Sequence, residues 1–304
     1  MRPRLMVAAV SAAVALSMSP VVAHAAPAPL TGVELNSPVE NSVAVDAQFD
    51  AGDAYTVGLQ ALRQLRGEMW DLNPYFSTDG ENTSTRLRDV AAKYDLDSKE
   101  AYANAFTIDH SLTRISVQRA AEQPGGLSHI RPDGTSPWTA TVNGDQSWSE
   151  SLAGGTNLKN SILKSWGHGE LRALNAAKGV SNSASGHLHM MIDPKFKYYG
   201  FGQVYLRGSK YGNYSASQAS EKPGTSTQMP AGEQRVWLYR SAAPNEKPTG
   251  LKEGVPGPLQ DTTAPGGVPG GSSGELNSII GIIFGVLSLL GVIAGIARQL
   301  GFLR

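Results

Sequence analysis

An α+β domain, with helices early in the chain and a sheet late, is the fold class that this sequence predicts. Three observations carry it. Between Asp53 and Leu174 the apolar residues recur at helical spacing. From Phe196 onward the period shortens to that of strands, interrupted by Gly, Ser and Pro clusters. Cysteine is absent, so packing alone must hold the domain, which favours helices layered on a sheet over a small stapled scaffold.

Taken in order, the chain opens on a secretory signal peptide over residues 1–25. Arg2 and Arg4 precede the apolar run Leu5 to Met18, and Ala23-His24-Ala25 forms a small-x-small cleavage site. Residues 26–52 hold several carboxylates and no Lys or Arg before Arg63, so a solvated acidic lead-in is expected there. The domain proper is expected over 53–243. Its first helix follows from Ala54, Gly58, Ala61, Leu62, Leu65 and Met69 on one face. Two shorter helices fit "STRLRDVAAKYDL" and "SKEAYANAF". The best helix is "DHSLTRISVQRAAEQ", which Asp109 can cap and Gly125-Gly126 ends. Leu158, Ile162, Leu163 and Trp166 extend another from Asn157 to about Leu174. "FKYYGFGQVYLRG", "GNYSASQAS" and "EQRVWLYR" read as strands.

The C-terminal part predicts a membrane anchor. Fourteen of the thirty-two residues from Pro244 to Glu275 are Pro or Gly, too many for a packed core and expected of a disordered linker. Ile279 to Ala297 carries no charge, and at about 1.5 Å per residue it matches the ~30 Å hydrocarbon core. Residues 279–297 therefore predict a transmembrane helix. Arg298 and Arg304 follow it, which places residues 298–304 in the cytoplasm and the domain outside. The protein is expected to be exported and single-pass. Lys and Arg balance Asp and Glu, and no basic patch alternates with aromatics, so nucleic acid is excluded as a partner.

Four stretches carry the polar chemistry: "SHIRPDGTSPW" with His129, "SWSESLAGG" with Glu150, "SWGHGELRALN" with Trp166 and Glu170, and "SGHLHMMIDPKFKYYGFG" with His187. In that order they resemble the CAP superfamily, the SCP or PR-1-like domain, in its bacterial secreted form. The resemblance covers roughly Ala54 to Ser220. It implies an α-β-α sandwich with a cleft lined by His129, Glu150, Glu170 and His187. The family's second Glu usually stands three residues after the Trp. Here Glu170 stands four after Trp166, so His168 is the competing occupant of the fourth position. Ser151 also stands where the family commonly has Asn.

Two imidazoles and two carboxylates suit a borderline divalent cation such as zinc, held by His129 and His187, with the carboxylates either ligating or orienting them. The same groups suit general acid–base work, or a buried network holding loops over the sheet. If Leu188 lies in extended chain, His187 and His189 point to the same side, with His189 an incidental neighbour. Gly200 and Gly202 read as backbone requirements beside the cleft, where only Gly combines close approach with free φ. The resemblance implies a membrane-anchored binding module of the cell envelope, taking a lipid, metal or envelope component in the His/Glu cleft. The alternative is a metal-dependent hydrolase of an envelope polymer or peptide, with Glu150 or Glu170 activating a zinc-bound water.

Overall fold

The computed structural model describes residues 30–78, 80 and 84–257. The signal peptide, the segment 279–297, the tail 298–304 and the far end of the linker lie outside those residues. Among the described residues no helix is long and apolar enough to cross a membrane.

Helices pack against a mainly antiparallel open sheet, a mixed α+β fold. The strands are β1 (Ser42–Asp50), β2 (Thr107–Ile108), β3 (Ser149–Gly154), β4 (Tyr198–Leu206), β5 (Asn213–Ser220) and β6 (Glu233–Ser241). They run in the order β3-β5-β4-β1-β6, and the short β2 pairs parallel with the start of β4. The three late strands appear where the alternation placed them, and β3 at one edge and β1 in the interior complete the sheet.

β1 overturns the expected solvated lead-in. Val43, Val45, Ala47 and Phe49 alternate with Ser42, Ala44, Asp46, Gln48 and Asp50, a half-buried strand pattern that the carboxylates conceal. Those carboxylates are satisfied in place. Asp46 takes a bidentate pair from Arg235 on β6, at 3.0 and 2.7 Å. Asp50 Oδ1 accepts the amides of Gly52 and Gly232. The domain likewise runs past 243. Arg240 pairs with Glu246 through both terminal nitrogens, and the amides of Thr249 and Gly250 reach the Ser42 carbonyl. The root of the Pro/Gly linker is thus tied to the sheet.

The helices are α1 (Leu59–Leu72), α2 (Leu87–Ala92), α3 (Lys99–Asn104), α4 (His110–Ala121), α5 (Leu158–Asn160), α6 (Leu171–Ala176) and α7 (Gly186–Ile192). Asp109 caps α4 as its sequence requires, its Oδ1 accepting the Leu112 amide at 2.9 Å. The single helix expected over 157–174 is instead broken. A wide turn over Ser161–Ser165 follows α5, and the chain kinks at Gly167 before α6. A Cβ at Gly167 would lie 2.4 Å from the Leu163 carbonyl oxygen, so only glycine allows this kink.

Strand alternation divides the core between the two faces of the sheet. On β4, Tyr199 and Phe201 face Leu62, Leu65 and Met69 of α1 and Met190 and Met191 of α7. Val204 and Leu206 face Val117, Ala120 and Ala121 of α4. Gly200 and Gly202 lie directly beneath α4. A Cβ on Gly200 would stand 2.0 Å from the Leu112 carbonyl carbon, and one on Gly202 would stand 2.6 Å from the Val117 nitrogen. Neither has positive φ, so close approach of helix to strand is the whole of their requirement, and it lies under α4 rather than at the cleft. Gly202→Ala is expected to destabilise the protein by about 1–3 kcal/mol, the usual overpacking penalty, with backbone rather than flexible side chain in the way. A thermal melt superimposing on the wild type would contradict this packing.

Candidate functional site

The four predicted residues converge at β3, the edge strand. His129 arrives on the loop that follows α4, on one face of the sheet. His187 sits in the first turn of α7, which packs with α1 on the other face. The two imidazole rings stand 6.3 Å apart, tilted by 34°. Trp166 joins them, its ring 6.5 Å from that of His187. Its indole N–H donates to the Leu152 carbonyl at 3.0 Å, which ties the kinked segment to β3.

Each histidine is held through Nδ1 by its own carboxylate. His129 Nδ1 lies 2.9 Å from Glu150 Oε1, and His187 Nδ1 lies 2.6 Å from Glu170 Oε1. A carboxylate accepts, so in the neutral ring Nδ1 carries the proton and Nε2 keeps its lone pair. Glu170 Oε2 also accepts the Leu188 amide at 2.9 Å, at the N-terminal end of α7. The kink at Gly167 decides between Glu170 and His168. It turns Glu170 to His187 and His168 outward, where its Nε2 meets Glu68 on the exposed surface at 2.6 Å.

Leu188 lies in α7, so the condition under which His187 and His189 would share a side is not met. Leu and Met favour helix, Pro194 stops it, and Leu188, Met190, Met191 and Ile192 are all buried. Residues two apart on a helix face nearly opposite ways, so His187 and His189 diverge. His189 stacks on Phe76, with ring centroids 4.4 Å apart, and its Nε2 meets the Ser77 carbonyl at 2.7 Å. Burial, only partly offset by that carbonyl, holds its pKa below the ordinary value. It is a packing residue outside the cleft. Burial also works against charge on His187, but the charge and hydrogen bond of Glu170, with Glu150 beyond, win and raise its pKa.

Behind His129 lies a buried charge network. Arg119 of α4 donates to both oxygens of Glu150, from Nε at 2.7 Å and from Nη2 at 3.0 Å. Its Nη1 reaches Glu122 at 2.5 Å, and Nη2 also reaches the carbonyls of Ser128 and His129 at 2.9 and 3.1 Å. Arg131, from the His-x-Arg-Pro-Asp-Gly turn, grips Glu122 with Nε and Nη2. Gln218 of β5 completes Glu150 with a bond at 2.9 Å. That turn closes through Gly134, whose φ of +83° suits glycine, and through Asp133 Oδ1, which accepts from Thr135. The sequence signal for this network is a polar pair three apart, Arg119 and the capping Glu122, on a helix whose positions are buried except His110 and Arg114.

The carboxylates therefore orient the imidazoles and do not converge on a common point. Among the described residues no group of three or more His, Cys, Asp or Glu is arranged to hold a metal ion. What the site offers a cation is two imidazole Nε2 atoms, each set by a carboxylate behind it. Comparison with family models, curated proteins and solved structures returns no match to this chain.

Burial alone would raise the Glu150 carboxyl, but Arg119 and His129 outweigh it and hold its pKa at about 2, against an ordinary value of 4.5. A depressed carboxylate contributes stability that is fully present above its unfolded pKa and is lost as pH falls through the folded one. That window runs from pH 4.5 down to about 2. Glu150→Gln is expected to destabilise the protein at neutral pH by about 3 kcal/mol, because it leaves Arg119 buried with one anion fewer. It is also expected to flatten the acid limb of stability between those pH values. Denaturant melts across the range check both. An acid limb as steep as the wild type's would mean that the network does not carry the pH dependence.

Proposed function

We propose that this chain is an extracytoplasmic binding module of CAP/SCP type, an α-β-α sandwich carried on the membrane by its Pro/Gly linker and C-terminal apolar segment. Its cleft presents two oriented imidazoles to a lipid or other component of the cell envelope. A divalent cation such as zinc would be held there by Nε2 of His129 and His187, leaving its remaining coordination positions to the ligand. The observation that carries this reading is the pair of His–Glu dyads facing one another at 6.3 Å, each glutamate bonded to Nδ1.

The hydrolase reading ranks second because neither carboxylate is placed to work on a water. Glu150 accepts from Arg119 twice, from Gln218 and from His129, and its depressed pKa makes it a poor base. Glu170 is held by His187 on one oxygen and the Leu188 amide on the other, which suits it to orient the imidazole.

Calorimetry and elemental analysis of the purified protein with zinc test the cleft. Stoichiometric binding is expected, lost in His129→Ala and in His187→Ala, and weakened about 10- to 100-fold by Glu170→Gln, as for other partners that orient a ligating histidine. Absence of binding in the wild type would remove the metal and leave only direct ligand binding. The topology has its own test. Protease added to cells stripped of their wall is expected to release a soluble domain by cutting after Lys252, because the chain up to that residue is bonded to the sheet through Tyr239, Ser42 and Arg240. Protection of residues 253–275 would contradict the anchored arrangement.

A further inference from the structure

We infer that Arg66 on α1 is the positioning residue for His187, because its guanidinium grips the C-terminal carbonyls of α7 and so sets where that helix presents the histidine. The inference concerns where His187 stands and does not depend on what the cleft binds.

The last carbonyls of any helix lack partners within it, and Pro194 prevents α7 from continuing. Here the end is buried: Met190, Met191, Ile192 and Asp193 are all inaccessible, so water cannot satisfy it. Four consecutive carbonyls instead receive buried side-chain donors. Tyr199 Oη donates to Met190 at 2.6 Å and Tyr102 Oη to Ile192 at 2.5 Å. Arg66 supplies the other two, Nε to Met191 at 3.0 Å and Nη2 to Asp193 at 3.1 Å. Nη2 also donates to Tyr199 Oη at 3.1 Å, so the guanidinium sets one of the phenols as well.

Arg66 is fully buried, and among the described residues it forms no ion pair. A buried cation with no hydrogen-bonded counter-ion is costly, and an apolar side chain of similar volume would fill the space with less penalty. What holds the charge is the negative end of α7, the attraction of the buried Asp193 carboxylate, and the faces of Tyr102, Phe106 and Tyr199, at 5.4, 5.0 and 5.3 Å. What the guanidinium adds over a filler is direction. Its rigid planar fork holds two carbonyls two residues apart in one geometry, whereas the three rotatable donors of an ammonium impose none.

α7 is short and stiff, and His187 lies one turn before Met191, so a shift at the gripped end moves the histidine with it. Glu170 holds the other end through the Leu188 amide and His187 itself. The opposite side of the cleft repeats the device. Arg119, also buried, grips the carbonyls of Ser128 and His129. His129 thus carries one of the carbonyls held by a buried arginine, and His187 lies on the helix whose far end another buried arginine holds.

The test uses the full chain in detergent, with Arg66→Lys and, as a milder change, Tyr199→Phe. Hydrogen exchange by mass spectrometry compares the α7 peptide with the α4 peptide, and carbethoxylation by diethyl pyrocarbonate reports the exposure of His187. In Arg66→Lys, exchange in α7 is expected to rise about tenfold or more while α4 is unchanged, and carbethoxylation of His187 is expected to rise severalfold. Tyr199→Phe is expected to move both readouts in the same direction by less, and it decides the matter if Arg66→Lys does not fold. Wild-type exchange and reactivity in the folded variant would overturn the inference. So would equal acceleration in α4 and α7, which would make Arg66 an element of general stability with no particular claim on His187.

Discussion

The guanidinium of Arg119 is the constraint on which the placement of Glu150 and His129 depends. It lies in the core between α4, β3 and the loop that carries His129, and it bonds to all three. Burying a cation there is tolerable only because its surroundings are complete. Two arginines, Arg119 and Arg131, meet two glutamates, Glu122 and Glu150, so the cluster carries no net charge. Removing any member leaves another charge in low dielectric without its partner. The network therefore acts as one unit, and His129 hangs from its end through Glu150. That coupling explains why Glu150 is a structural anion first. A group held this far below its ordinary pKa is well suited to fixing an imidazole and badly suited to accepting a proton.

Much of this was legible in the residues, and the failures have physical causes. α4 was clear because its cap, apolar stripe and glycine stop all agree, and the three late strands were clear because their alternation is bounded by turn residues. β1 is concealed because the carboxylates of residues 26–52 mask the period-two pattern inside them, although Asp46 and Asp50 sit on the strand with partners. α7 is hard to read because His187-Leu188-His189 alternates like a strand. Met191 breaks that alternation, and the helix is fixed by tertiary contacts at its two ends rather than by its own sequence.

The site residues themselves were named from the four ordered stretches, and the structure brings all four together. Their roles were less readable. Spacing from Trp166 left Glu170 and His168 in competition, since a regular helix would turn them to different sides, and only the kink at Gly167 decides between them. Arg119 shows in the sequence only as a polar pair with Glu122, and Arg66 carries no signal of its role. Nothing in a sequence distinguishes an arginine that snorkels to solvent from one buried against carbonyls, except that its neighbours on the helix are themselves buried.

The two histidines reach the cleft from opposite faces of the sheet, and this makes the site sensitive to how the layers stack. His129 follows α4, whose distance from β4 is set by Gly200 and Gly202. His187 follows α7, whose position is set by α1 through Arg66. Neither helix touches the other strongly, so the ring separation is a difference between two independently held layers. A loose layer would blur that separation by more than the few tenths of an ångström that metal or hydrogen-bond geometry tolerates. Two glycines with no side chain to rearrange, and two arginines whose forks admit one geometry, are the means by which the layers are held. The chemistry of the cleft is supplied by His and Glu. Its precision is supplied by residues that face away from it.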